Sequence, residues 1–259
     1  MFRRWHRRAR IPEPSPITVF VHSHNRPVYL WASLDSLYRG TAYPHRFVFV
    51  DMASDDPLVR QVTAGFERRG MFSEVLWLPS NQASDFWAVP WERLPALGPY
   101  VAHIETDVIV EVTNPCWLSR LAGLMDANPR LAMLGAAIDT RDFVSLDEAQ
   151  RIEPTADEPR LKNLIKFHSP ERGQIGSRGA DHAIFSPYNP PGRSLLVRTE
   201  ALAKVGAGDD GELHRKFVEA GYETGIAACV RHRHLSLLHI YDHPEYDYER
   251  RDAYVSGRV

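Results

Sequence analysis

Two cysteines, Cys116 and Cys229, are all that the chain has. That number excludes a disulfide framework and fits a reduced, cytoplasmic setting. No apolar run approaches ~18 residues, so no segment reads as membrane-spanning. An excess of one charge is also missing: the net charge is -2 at pH 7, which argues against nucleic acid as a bulk electrostatic partner. There is no internal repeat and no low-complexity segment.

What is present suits an ordinary globular protein. The 259 residues suffice for one large domain or two small ones, and 44% hydrophobic content supports a substantial core. The even charge breaks only at the start, where Arg3, Arg4, Arg7, Arg8 and Arg10 surround Trp5. No apolar stretch follows, so this is not a secretory signal. Residues 1–16 read as a basic flexible tail, with weak contact to anionic lipid headgroups at a membrane surface as the sharper alternative. Pro12, Pro14 and Pro16 separate it from a single folded domain, 17–259.

Strands and helices alternate through the first half. Residues 17–22 form an apolar strand, and Pro27 opens a helix with Leu30, Leu34, Leu37 and Tyr38 on one face, ended by Gly40. A second strand covers 46–51. Asp56-Pro57 caps a second helix with Leu58, Val62 and Phe66 inward, stopped by Gly70. A third strand at 74–78, a loop rich in Trp and Pro, and a fourth strand at 100–105 follow. Such units predict an α/β fold with parallel pairing and right-handed crossovers. Ligands then bind at the carboxyl ends of the strands, here 22–26, 51–55 and 105–107.

The second half is less regular. Asn114-Pro115 is expected to cap a helix carrying Trp117, Leu121 and Leu124. Strands are expected at 131–138, 192–198, 226–230 and 235–241, with a helix opened by Asp209 or Asp210 and ended by Gly221. Between them, 139–190 is charged and rich in Pro and Gly. An irregular segment of that length suggests a substrate lid or acceptor contacts.

Several acidic groups lie at the strand ends. Glu105-Thr106-Asp107 could hold a hard cation that neutralises a phosphate-bearing ligand, or could simply form a turn. Asp51 can accept from a base N–H, while Ser54, Asp55 and Asp56 either shape a ribose contact or cap the next helix. Of Asp209 and Asp210, one can cap the helix while the other takes a proton from an acceptor hydroxyl. His232, His234, His239 and His243 cluster late, yet only Cys229 is near enough in sequence to support zinc. His239 sits in an apolar stretch and has a buried structural role as its alternative.

Taken together, these segments resemble the GT-A glycosyltransferases, especially family 2. The resemblance rests on Val19-Phe-Val-His-Ser-His-Asn-Arg-Pro27, on Val48-Phe-Val-Asp51-Met-Ala-Ser54-Asp55-Asp56, and on Glu105-Thr106-Asp107, which is similar to the family's DxD element with Glu in place of the first Asp. It extends to Gly208-Asp209-Asp210-Gly-Glu-Leu213, Arg215 and Gly221-Tyr222, and to His239 as a late histidine. It spans roughly 17–130 and 192–241.

The resemblance implies a GT-A, Rossmann-like fold with a mixed, mainly parallel sheet flanked by helices. Residues 17–112 would form the nucleotide-sugar half and 113–259 the acceptor and catalytic half. It implies a nucleotide-diphosphate sugar donor, a hydroxyl acceptor and Mn²⁺ or Mg²⁺. Asp107, Glu105 and His239 would serve the metal. His22, Asn25, Arg26, Asp51, Ser54, Asp55 and Glu105 would border the donor, with Arg172 or Arg178 on its diphosphate. Asp210, with Asp209 as the rival, would be the base of an inverting hexosyl transfer. Nucleotidyl transfer to a sugar phosphate is the other enzymatic reading, and 22–27 lacks the glycines it needs. A non-catalytic sugar-binding protein is the third, and intact Asp107 and Asp210 argue against it.

Overall fold

A computed structural model describes residues 14–139, 146–152, 154–159, 161, 184–185 and 192–235. In that part, nine strands form one sheet: β1 (Ile17–Ser23), β2 (His45–Met52), β3 (Phe72–Leu78), β4 (Tyr100–Glu105), β5 (Val108–Val110), β6 (Leu131–Ile138), β7 (Ile184–Phe185), β8 (Ser194–Arg198) and β9 (Glu223–His234). The spatial order is β3-β2-β1-β4-β8-β6-β9-β5, with β7 also on β9. The β3-β2-β1-β4 run is parallel, as expected of the βα units. β8 is antiparallel to both its neighbours, and β5 and β7 are antiparallel to β9.

Alternation along the strands fills both faces. Val19, Val21, Phe47 and Phe49 point to one core layer, which holds Leu30, Leu34 and Leu37 of α1 (Pro27–Gly40) and Val59 and Phe66 of α2 (Pro57–Glu67). Phe20, Val48 and Val50 point the other way, toward Leu202, Leu213 and Phe217. A sheet buried on both faces needs such continuous apolar runs. Truncating a fully buried Leu34 to Ala would cost about 2–5 kcal/mol. Tyr38, expected inward, is 47% exposed. Gly40, the last residue of α1, lies against β5: an added Cβ would meet Val110 Cγ2 at 3.1 Å.

Four expectations need correction. The stretch taken as a Trp- and Pro-rich loop holds α3 (Ala83–Glu92) and a short 3₁₀ turn (Leu94–Ala96). α4 (Trp117–Ala127) starts at Cys116 rather than at Asn114-Pro115, and Cys116 makes no side-chain cap bond. The strand expected at 226–230 is longer, β9 (Glu223–His234), and of the strand expected at 235–241 only Leu235 is described, outside β9. Between 139 and 190 the described residues include α5 (Leu146–Ile152) and β7.

Two further helices follow among the described residues of the second half. α6 (Thr199–Val205) follows β8 directly, and α7 (Asp210–Glu219) is capped by Asp209, whose carboxylate accepts from Glu212 N at 2.7 Å. Cys116 is buried, Cys229 is exposed, and both thiols are free. Among the described residues no helix is long and apolar enough to cross a membrane.

Candidate active site

The loops after β1 and β2 clasp each other. Asn25 N donates to Ser54 Oγ at 2.7 Å, and Asp55 N and Asp56 N donate to Asn25 Oδ1 at 3.1 and 3.2 Å. Asn25, Arg26 and Ala53 hold left-handed backbone, at φ 53°, 54° and 58°. Non-glycine residues adopt that conformation at a cost, and it concentrates where a site needs a fixed loop. The clasp offsets that cost with hydrogen bonds.

Asp51 serves the clasp. It is 1% exposed, and its two oxygens accept from Ser54 N at 2.8 Å and Ser54 Oγ at 2.5 Å. Asp55, by contrast, is exposed at the rim, and Asp56 caps α2 through Leu58 N at 2.9 Å.

Arg26 aims at the acidic turn between β4 and β5. Its Nη1 lies 3.7 Å from Asp107 Oδ2, and His234 Nε2 lies 3.0 Å from the same oxygen. The turn is stitched on both sides: Thr106 N donates to His22 O at 3.1 Å, and Leu235 N to Asp107 O at 2.7 Å. Asp107 Oδ1 is buried and meets no donor among the described residues. Burial pushes the Asp107 carboxyl up, yet His234, Arg193 and Arg26 outweigh it and hold the group well below the usual carboxylate range. His234 is itself pushed down by burial, with Asp107 pulling the other way. Because a carboxylate can only accept, His234 Nε2 is the donor in this contact.

Glu105 turns from Asp107 to Arg193, whose Nη1 donates to Oε2 at 2.9 Å. Burial raises its pKa, Arg193 opposes, and Asp107 and Asp210 add to the rise. Asp210 reaches this corner from the first turn of α7 and lies against Gly192.

The structure therefore gathers Arg26, Glu105, Asp107 and Asp210 at one end of the sheet, beside the clasp of Asn25, Asp51, Ser54 and Asp55. It removes His22 from that surface. His22 is 4% exposed and packs edge-on against His103, ring centroids 4.8 Å apart, so the expected donor contact gives way to a core position. Arg172, Arg178 and His239 lie outside the described residues. His234 and Arg193 were missed as site residues. The period-two pair His232 and His234 was the available signal: both face inward from β9, at 1% and 0% exposure.

A divalent cation fits part of this arrangement. Asp107 Oδ1 meets no donor among the described residues, and His234 Nε2 lies beside the other oxygen, Oδ2; the carboxylate suits Mg²⁺ or Mn²⁺. Among the described residues no group of three or more His, Cys, Asp or Glu converges on one point. Ligand phosphates and water would have to complete the shell, as is usual for Mg²⁺.

No protein-family model and no curated protein matches the chain. Solved structures do. Mannosyltransferase PcManGT from Pyrobaculum calidifontis, in complex with GDP-Man and Mn²⁺, superposes with a TM-score of 0.57 at 17% identity over 84% of this chain and 56% of that one. GalNAc-T7 with UDP, GalNAc and Mn²⁺ gives 0.59 at 12% identity, over 85% and 43%. S. aureus TarS 1-349 gives 0.50 at 16% identity, over 86% and 61%. The chain thus spans about half the length of these structures, and the likeness is one of fold.

Proposed function

We propose, from the GT-A fold that these likenesses show, that the chain is a metal-dependent glycosyltransferase. It moves a hexose from a nucleotide-diphosphate sugar to an acceptor hydroxyl, with inversion. The observation that carries this reading is Asp107. It is a buried carboxylate whose Oδ1 meets no donor among the described residues and whose Oδ2 lies 3.0 Å from His234, where the parallel strands end.

Each residue then has a task. Asp107 and His234 would hold Mn²⁺ or Mg²⁺; His239, the late histidine expected there, lies outside the described residues. The cation, when bound, would neutralise the diphosphate and ease departure of the nucleotide. Ligation through Nε2 requires the imidazole proton to sit on Nδ1 instead. Arg26, fixed by its left-handed backbone, would meet the donor phosphates. Asn25, Ser54 and Asp55 would border the nucleoside, with Asp51 holding their loop rather than touching the base. Asp209 is engaged as the cap of α7, which leaves Asp210 to take the acceptor proton. A carboxylate used as a cap has its oxygens turned to backbone N–H groups and loses basicity.

The test is a panel of UDP- and GDP-sugars with purified protein, in MnCl₂ and in EDTA. One donor is expected to stabilise the fold by about 2.7 kcal/mol at a hundredfold excess over its Kd, and to release nucleotide only with metal. Neither stabilisation nor release with any donor would overturn the reading.

A further inference from the structure

Gly192 leads into β8 and faces Asp210. A Cβ built on Gly192 would lie 2.6 Å from Asp210 Oδ2, 2.8 Å from Cγ and 3.1 Å from Asp210 Cβ. The backbone does not itself demand glycine here: Gly70, Gly206 and Gly221 hold positive φ, and Gly192 does not. What demands it is the close approach of the carboxylate. The two nearest obstacles, Oδ2 and Cγ, belong to a side chain that can turn, so an added methyl displaces the carboxylate, while the Cβ contact at 3.1 Å asks the neighbour to give slightly.

The next residue fixes the corner. Arg193 Nη1 donates to Glu105 Oε2 at 2.9 Å, and Arg193 O accepts from Glu105 N at 3.0 Å. Glu105 thus grips the corner by side chain and main chain together. Glu105 also ends β4, two residues before Asp107. One rigid path therefore runs from the Asp107 turn through Glu105, Arg193 and Gly192 to Asp210.

We infer that Gly192 is a positioning residue: its missing side chain sets where the Asp210 carboxylate stands relative to Asp107, and the Arg193–Glu105 pair holds it there. The inference rests on Asp210 being the base. A base must come within hydrogen-bond reach of the proton it takes. A displacement of ~1 Å costs on the order of 10²-fold in rate. Glycine-to-alanine changes at ordinary φ tend to stabilise a fold by restricting the unfolded chain. Activity should therefore fall without a fall in stability.

The experiment compares wild type, Gly192→Ala and Asp210→Asn, with MnCl₂ and whichever UDP- or GDP-sugar releases nucleotide, alongside a crystal structure of Gly192→Ala. The alanine variant is expected to keep its Tm and donor KM, to show a displaced Asp210 carboxylate, and to lose kcat by about 10²-fold. An unmoved carboxylate overturns the inference, with or without a measurable turnover. So does wild-type kcat in Gly192→Ala when Asp210→Asn is inactive, or a kcat loss accompanied by a lower Tm and a higher KM. If Asp210→Asn keeps full turnover, the assignment of the base fails instead, and the Asp210 position in the crystal still judges the link.

Discussion

His22 should make the fold acid-sensitive by a definite amount. Burial pushes its imidazole from the ordinary 6.5 down to about 3. Between those values the unfolded chain binds the proton and the folded chain does not, so stability falls as pH drops. Two pH units below 6.5, at about 1.4 kcal/mol each, give a loss of about 3 kcal/mol by pH 4.5. That is a large share of a typical total of about 5–15 kcal/mol. His22→Leu replaces the ring with an apolar group of similar size beside His103. Urea unfolding at pH 7.0 and 4.5 reads the effect as a difference of differences. Groups shared by both proteins, His232 and the carboxylates among them, cancel. Wild type is expected to lose about 3 kcal/mol more than the variant over this interval. Equal losses, within about 0.5 kcal/mol, would refute a neutral, buried His22.

Asp107→Ala should abolish the stabilisation by Mn²⁺ plus donor while the protein stays folded, which a thermal melt with and without EDTA reads directly. Asp210→Asn should remove turnover and leave donor affinity by calorimetry unchanged. Asp209→Asn should retain turnover and cost about 0.3–1 kcal/mol of stability, because the amide oxygen still caps the helix but the charge at its start is lost. Ser54→Ala takes a 2.5 Å hydrogen bond from buried Asp51 and leaves Asn25 N without its acceptor. It should cost about 2–3 kcal/mol in urea unfolding and weaken donor binding as the clasp loosens.

The first four strands and two helices were legible because each obeys one local rule. α1 carries Pro27 at its start and leucines at helical spacing, and Asp56 caps α2 through its own side chain. The elements missed lack such marks. β5 has three residues, α3 contains Pro90, and α6 begins straight after β8 with no side-chain cap. Site residues followed the same division. Asp107 and Arg26 could be placed from strand ends alone. His234 could not, because its partner is 127 positions away and only the pairing of Val108 with His234 brings them together. Asp51 shows a different limit: a carboxylate after a strand looks the same in sequence whether it faces a ligand or a neighbouring serine.

The stitching of the acidic turn also sets an order of events during synthesis. The turn joins His22 near the start of the described chain to Leu235 at its end. Contacts between such distant positions form late, after more local units have closed. A ribosome-bound chain possesses β1 to β4 long before His234 exists. The proposed cation pair is therefore the last part of the site to be assembled, and Mn²⁺ affinity would distinguish finished molecules from folding intermediates that already hold most of the sheet.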